Sequence, residues 1–169
     1  KYRPTVVTHC AADTAVDKAE EEAELCQKIN VQGTENIAKV CKEIGAVLMY
    51  ISTDYVFPGT GADNYATEDA TAPVNAYGAS KLAGEIVVRQ HCNKYFIVRI
   101  SWVFGENGAN FVSTMLRLGK ERQELNVVCD QVGSPTYTRD LAKLLIDMSA
   151  TDKYGVYHAT NEGTCSWAE

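Results

Sequence analysis

The sequence lacks the long apolar run and the concentrated positive charge that mark two classes of protein. No apolar stretch approaches the roughly 18 residues that a membrane-spanning helix requires. The net charge is −6 and the basic residues are scattered, which argues against a surface that follows a phosphate backbone. We therefore expect neither a membrane nor a nucleic acid as a partner.

The six cysteines form no C-x-x-C pair, and their spacings match no zinc or disulfide framework. Most of them lie in apolar periodic segments, where a cysteine behaves as a small hydrophobic side chain. We expect reduced thiols, no metal site and a cytoplasmic protein.

A third absence concerns glycine. The chain has 12 glycines, yet none forms a G-x-G-x-x-G turn or a variant of it between a strand and a helix. An α/β domain that binds a dinucleotide needs this turn. At the other end, Ser166 and Glu169 have the spacing of a capping box, which indicates the start of a helix. We expect a piece of a longer protein that lacks an N-terminal Gly-rich segment and the C-terminal end, although a small complete α/β domain is an alternative.

Strand-like and helix-like segments alternate along the 169 residues, of which 46% are hydrophobic. This alternation predicts the α/β class with a Rossmann-like, doubly wound and mostly parallel sheet. The predicted strands cover residues 5–12, 47–52, 95–102, 126–130 and 155–160, and the predicted helices include residues 17–27, 37–44, 77–89, 110–119 and 141–148.

Ligands of such a sheet lie outside the carboxyl ends of its strands. Three polar sites fall there in the predicted arrangement, and they are residues 13–14, 53–54 and 101–102. The helix after the second strand carries Tyr77 and Lys81, which lie one turn apart on one helix face.

This pair suggests proton chemistry, because a lysine beside a tyrosine favours the phenolate and lowers the pKa of the phenol. Thr53 could orient a carbonyl oxygen while Tyr77 delivers the proton. The alternatives are structural. A Tyr and a Lys four residues apart occur by chance on many surface helices, Thr53 could be a strand-end cap, and Trp102 could be a core residue.

Five longer strings are more specific than the Tyr/Lys pair. They are TAVDKAE (14–20), ISTDYVF (51–57), NAYG (75–78), NFV (110–112) and DQVGSPT (130–136). Together they resemble the dTDP-4-dehydrorhamnose reductases of the extended short-chain dehydrogenase/reductase family, over essentially the whole chain.

The resemblance implies a reductase in which NADPH or NADH gives hydride to the C4 carbonyl of dTDP-4-dehydro-L-rhamnose, which yields dTDP-L-rhamnose. The dTDP-sugar is the implied partner, and a homodimer is compatible with the sequence. Residues 1–169 would be part of an NAD(P)-binding Rossmann-like domain, with part of the substrate-binding region at about 103–169. We expect the chain alone to be inactive.

The resemblance also implies residue roles. Tyr77 would be the acid, Lys81 would lower its pKa and hold the nicotinamide ribose, and Thr53 would bond the substrate oxygen or tune Tyr77. The residues implied to contact the cofactor are Ala11, Ala12, Asp13 and Thr14. Those implied to contact the sugar nucleotide are Thr53, Asp54, Val56 and Trp102.

The chain departs from the family at Asp13, where an aromatic residue or His is usual, and at Pro58, where Asp is usual. A carboxylate at position 13 would be unfavourable near cofactor phosphates unless it is turned away or paired. Two other functions stay open. One is an epimerase or dehydratase of another nucleotide sugar, and the other is a non-catalytic regulatory subunit like that of methionine adenosyltransferase.

Overall fold

The structure is a computed structural model that describes residues 2–61 and 64–169. Its α-helices are α1 (Val16–Glu21), α2 (Ala23–Gln27), α3 (Gly33–Ile44), α4 (Ala76–His91), α5 (Phe111–Glu121) and α6 (Thr138–Ser149). A π-helical turn, Lys28–Gln32, joins α2 to α3, and a 3₁₀ turn, Asp54–Val56, follows the second strand. The strands are β1 (Val6–His9), β2 (Val47–Thr53), β3 (Tyr95–Ile100), β4 (Val103–Phe104), β5 (Val132–Gly133), β6 (Thr136–Tyr137), β7 (Gly155–His158) and β8 (Cys165–Ser166).

The main sheet has four strands in the order β1-β2-β3-β7. β1 pairs with β2 in parallel, with Val6 opposite Val47, and β3 pairs with β7 in parallel, with Phe96 opposite Gly155. Parallel neighbours need a crossover connection, which the helices between the strands supply. The predicted α/β class with a mostly parallel sheet is confirmed.

The chain forms two compact units. The first comprises Lys1–Arg99 and Met148–His158, and the second comprises Ile100–Asp147 and Ala159–Glu169. The expected substrate region, about 103–169, overlaps the second unit but also includes Met148–His158. That segment belongs to the first unit because it contains β7, which pairs with β3.

One of the five predicted strands is absent from the described part of the chain, and three others end earlier than predicted, β1 at His9, β3 at Ile100 and β7 at His158. Residues 126–130 are irregular rather than a strand, and no strand pairs with them in the described ranges 2–61 and 64–169. An extended segment without a partner cannot satisfy its backbone groups through a ladder. The third predicted strand ends at Ile100 because Trp102 has a φ of 45°, which is incompatible with extended backbone.

The core of the first unit lies between β2, β3 and the helices α3 and α4. Leu48 and Ile97 are fully buried strand residues, and they pack with Ala38 of α3 and Val88 of α4. As predicted, α3 ends before Gly45, whose φ of 72° is the left-handed conformation that closes many helices.

Helix α4 lies unusually close to β2 and to the 3₁₀ turn that follows it, at two positions that are both occupied by glycine. A Cβ added at Gly84 would be 2.2 Å from the Tyr50 hydroxyl oxygen, and one at Gly78 would be 2.2 Å from the Tyr55 carbonyl oxygen. Both distances are far below van der Waals contact, so only glycine permits this approach.

None of the helices in the described residues has both the length and the apolar character needed to cross a membrane. In the second unit, β4 pairs with β6 in parallel and β5 pairs with β8 antiparallel. The capping box predicted at Ser166 is confirmed, since the Ser166 amide donates to the Glu169 carboxylate (2.7 Å) and the Glu169 amide donates to the Ser166 hydroxyl (3.3 Å).

The close approach at Gly84 predicts an unusual response to alanine. Gly84→Ala should lower the free energy of unfolding by about 1–3 kcal/mol, because the new methyl group overpacks the buried Tyr50 ring. The matched control is Gly119→Ala in α5, where nothing lies within 4 Å of the added Cβ. Helix propensity alone should make that variant about 0.5–1 kcal/mol more stable. Urea denaturation measures the free energy of unfolding of both variants. An equal increase in stability at the two positions would contradict the close packing of Gly84 against Tyr50.

Candidate active site

Thr53 is the last residue of β2 and is almost fully buried. Its hydroxyl accepts a hydrogen bond from the Tyr55 amide (3.2 Å) and donates to the Asp54 carboxylate (3.1 Å). Thr53 therefore caps the 3₁₀ turn, as the structural alternative for this residue predicts. The capping role also fixes the position of the hydroxyl at the carboxyl end of the strand.

Helix α4 begins with two capping interactions just before Tyr77. The Asn75 side chain accepts a hydrogen bond from the Gly78 amide (2.7 Å), and the Glu20 carboxylate of α1 accepts one from the Ala76 amide (2.6 Å). These acceptors satisfy amides that have no partner within the helix. Tyr77, the second residue of α4, is therefore held on a well-anchored first turn. Sequence reasoning missed Glu20, because it reads as part of a solvated acidic face.

The Thr53 side chain lies close enough to the Tyr77 phenol to lower its pKa, so the structure brings together two of the three predicted catalytic side chains. The expectation that the pKa of Tyr77 is lowered is wrong for this structure. Burial raises the pKa of Tyr77 to about 12, although the nearby Thr53 side chain acts in the opposite direction. The desolvation of a phenolate in this half-buried position outweighs the stabilising contact.

Lys81 follows one turn after Tyr77, and its side chain is almost fully buried. Its Nζ lies 4.1 Å from the centroid of the Tyr50 ring, a cation–π contact. Burial lowers the pKa of Lys81 to about 8, while the negative charge of Glu85 one turn further along α4 acts to raise it. The ammonium of Lys81 in turn lowers the pKa of His9, after the larger effect of burial.

The loop that follows β1 contains the four residues predicted to contact a cofactor. Ala11 and Thr14 are exposed, whereas Ala12 and Asp13 are half-buried. The Asp13 carboxylate accepts a hydrogen bond from the Ala15 amide (3.2 Å). Asp13 therefore bonds the backbone of its own loop.

Asn30, in the π-helical turn, connects this loop to α4. Its Oδ1 accepts from the Asp13 amide (2.7 Å), and its Nδ2 donates to the Asp13 carbonyl (3.0 Å) and to the Ser80 hydroxyl (2.9 Å). The β1 loop and the helix of Tyr77 and Lys81 are therefore neighbours. Sequence reasoning missed Asn30, although an Asn between apolar residues in a helical stretch is a signal for a buried polar contact.

Asp54 and Val56, two of the predicted substrate contacts, lie in the 3₁₀ turn that Thr53 caps. Val56 is fully buried. Burial raises the pKa of the Asp54 carboxyl, and hydrogen bonds from Thr53 and the backbone oppose the shift. Between them, Tyr55 packs edge-on against Tyr77, with ring centroids 5.8 Å apart.

Trp102, the fourth predicted substrate contact, lies in the second unit. Its indole stacks on Trp167 with ring centroids 3.7 Å apart. These two rings line an apolar cavity of about 360 Å³ together with Phe104, Phe111 and Pro135. The half-buried Trp102 thus has a packing role inside its own unit.

The first unit thus contains a protonated phenol, a hydroxyl beside it and a buried ammonium one turn away. This set can donate a proton to a bound oxygen and can stabilise the phenolate that remains. The loop after β1 contains two small side chains, Ala11 and Ala12. A doubly wound fold places ligands outside the carboxyl ends of its strands, which is where Thr53 lies.

Comparison with known proteins defines the family. The model of the RmlD substrate binding domain matches residues 1–169, so the chain belongs to that family. The dTDP-4-dehydrorhamnose reductase of Escherichia coli K12 is 47% identical over 170 residues, which cover 98% of this chain and 57% of that protein. The spore coat polysaccharide biosynthesis protein SpsK of Bacillus subtilis is 45% identical and is covered to 59%.

A solved structure gives the same result. The dTDP-4-dehydrorhamnose reductase of Bacillus anthracis in complex with NADP is 53% identical and has a TM-score of 0.96. The match covers 98% of this chain and 59% of that one. The chain therefore spans less than two thirds of the relatives that it matches.

The lowered pKa of Lys81 predicts a pH-dependent stability. Its folded pKa is about 8 and its ordinary value is 10.5, so between these pH values the unfolded chain retains a proton that the folded chain has released. The contribution of Lys81 to stability should therefore rise from pH 8 to pH 10.5 and be constant below pH 8.

Urea denaturation of the wild type and Lys81→Met from pH 6.5 to 10.5 measures this contribution, since other titrations largely cancel in the difference. The difference in unfolding free energy should shift in favour of the wild type above pH 8. A difference that stays flat up to pH 10 would show that Lys81 titrates normally.

Proposed function

We propose that the whole protein reduces the C4 keto group of dTDP-4-dehydro-L-rhamnose with NADPH or NADH and forms dTDP-L-rhamnose. The observation that carries the proposal is the proximity of Thr53 to the Tyr77 phenol, with Lys81 one turn further along α4. The reductases that resemble this chain at 47–53% identity support the choice of substrate and cofactor.

The protein's part in the reaction is to deliver a proton to the carbonyl oxygen. A nicotinamide, when bound, supplies the hydride that adds to C4. A phenol with a pKa of about 12 stays protonated at neutral pH, so Tyr77 is available as the donor. The O–H bond of Tyr77 breaks as the sugar oxygen takes the proton, and a phenolate remains that solvent reprotonates.

Thr53 and Lys81 make this transfer easier in different ways. The Thr53 hydroxyl lies beside the phenol, where it can orient the sugar oxygen or stabilise the phenolate. The positive charge of Lys81 favours the phenolate as it forms, and its ammonium would hold the nicotinamide ribose. Both groups are buried, which strengthens their electrostatic effect.

The remaining roles concern binding. The loop Ala11–Thr14 would contact the cofactor, because its small side chains allow a flat ligand to approach the backbone. Asp54 and Val56 would contact the sugar nucleotide from the 3₁₀ turn. Trp102, a residue of the second unit, is also assigned to sugar-nucleotide binding.

We also propose that the protein works in the cytoplasm. All six cysteines are free, and Cys26, Cys41 and Cys92 are buried. Free thiols in these numbers are typical of a reducing compartment.

The test of the proposed function is NAD(P)H oxidation by the full-length protein with the dTDP-keto sugar. Tyr77→Phe should lower kcat by about 10²–10⁴-fold, because it removes a positioned proton donor and keeps the ring. Tyr95→Phe is the matched control, since Tyr95 is the first residue of β3 and lies at the amino end of that strand, away from the carboxyl end where the site lies.

The other outcomes separate the competing functions. Unchanged turnover in Tyr77→Phe would contradict the assigned role. Tightly retained NAD⁺ without net cofactor consumption would indicate an epimerase or dehydratase, and no reductase activity with co-purification of another enzyme would indicate a regulatory subunit.

A further inference from the structure

A second group of buried charges lies two turns beyond Tyr77 on α4. Glu85 continues the stripe of Tyr77 and Lys81 at i+4 spacing, and its side chain is 1% exposed. Arg99 of β3 is 3% exposed, and its Nε and Nη2 donate to the two carboxylate oxygens of Glu85 at 2.9 Å and 2.8 Å. This is a two-pronged ion pair inside the first unit.

The pair is more than a local contact, because Arg99 reaches the chain that follows the Thr53 strand. Its Nη1 donates to the Thr67 carbonyl at 3.2 Å, and its guanidinium carbon lies 5.0 Å from the centroid of the Phe57 ring. The Ala72 amide donates to the Val56 carbonyl at 3.0 Å, so the segment 64–72 is also tied to the 3₁₀ turn.

Glu85 in turn is connected to the strand of Thr53. The Ser52 hydroxyl donates to its Oε1 at 2.6 Å. Ser52 immediately precedes Thr53 in β2. The Glu85 carboxylate is therefore bonded both to the strand that carries Thr53 and to the Arg99 guanidinium, which bonds the segment 64–72. The half-exposed Arg89 makes a longer contact of 3.5 Å with the same carboxylate.

Stability alone is a weak explanation for this arrangement. Removing two charges from water is costly, and an apolar pair of similar volume often stabilises a core equally well. What the ion pair supplies is geometry, since a guanidinium offers several N–H groups in a fixed plane. A lysine at position 99 would keep the charge but could not bond both Glu85 oxygens and the Thr67 carbonyl at once.

We propose that Arg99, oriented by Glu85, is a positioning residue for sugar-nucleotide binding. It fixes Phe57 and the segment 64–72 against the 3₁₀ turn of Asp54 and Val56. This inference rests on the proposed function, in which that turn meets the sugar nucleotide. It assigns Arg99 no contact with the cofactor, so its loss should affect the two substrates unequally.

The experiment compares Arg99→Lys with Arg89→Lys in the full-length protein. Both variants keep a positive charge next to Glu85, but only the first removes contacts to residues 57 and 67. Arg99→Lys should raise KM for the dTDP-keto sugar by about tenfold, the effect of one lost hydrogen bond to a charged group. Its KM for NADPH and its kcat should change by less than about threefold, and Arg89→Lys should behave as the wild type.

A general loss of stability would give a different pattern. The proposal would be overturned if Arg99→Lys changed KM for the dTDP-keto sugar and KM for NADPH equally. It would also be overturned if the sugar KM of Arg99→Lys equalled that of Arg89→Lys. If Arg99→Lys does not fold, Phe57→Leu removes the ring under the guanidinium. That variant should raise the sugar KM in the same selective way, and an unchanged sugar KM would overturn the proposal.

Hydrogen–deuterium exchange separates this inference from the proposed function. In Arg99→Lys, the amides of residues 64–72 should exchange faster than in Arg89→Lys, whether or not the protein reduces the sugar. Absence of reductase activity in the wild type would overturn the proposed function and with it the role in sugar binding. Unchanged exchange in residues 64–72 would overturn the positioning role itself.

Discussion

The candidate site depends on how closely α4 lies against β2 and the turn that follows it. Gly78 and Gly84 are the two positions where any side chain would collide with that layer, at the Tyr55 carbonyl and the Tyr50 hydroxyl respectively. The approach places a phenol on the first turn of the helix beside a hydroxyl at the end of the strand. It also buries the Lys81 ammonium over the Tyr50 ring. Helix packing therefore determines both the geometry and the electrostatics of the site.

The face of α4 that packs against the sheet carries two kinds of ionisable residue, those suited to proton transfer and one with a structural role. Tyr77 and Lys81 are the groups suited to proton transfer, while Glu85 on the next turn is neutralised by Arg99. Buried ionisable groups of this kind are costly unless each has a partner. Their partners come from strands that pack against the helix: Thr53 and Tyr50 of β2 lie beside Tyr77 and Lys81, and Arg99 of β3 pairs with Glu85.

Sequence patterns predicted the α/β class and most helices, because apolar periodicity and glycine stops act locally, as at Gly45. The prediction of a strand at residues 126–130 was wrong, because strand formation depends on a pairing partner that the local sequence does not reveal. The spacing of Tyr77 and Lys81 predicted a shared helix face, but not the direction of the Tyr77 pKa, which burial determines. Asn30 and Arg99 were missed because their partners lie 50 and 14 residues away in sequence, at Ser80 and Glu85.

The most direct test of this account is kcat of a Gly78→Ala variant of the full-length protein. The added Cβ would lie 2.2 Å from the Tyr55 carbonyl oxygen, so α4 must move away from the 3₁₀ turn and separate Tyr77 from Thr53. A displacement of about 1 Å should lower kcat by about 10²-fold, while the circular dichroism spectrum stays that of a folded protein. Wild-type kcat in folded Gly78→Ala would contradict the claim that the close helix–strand approach creates the site.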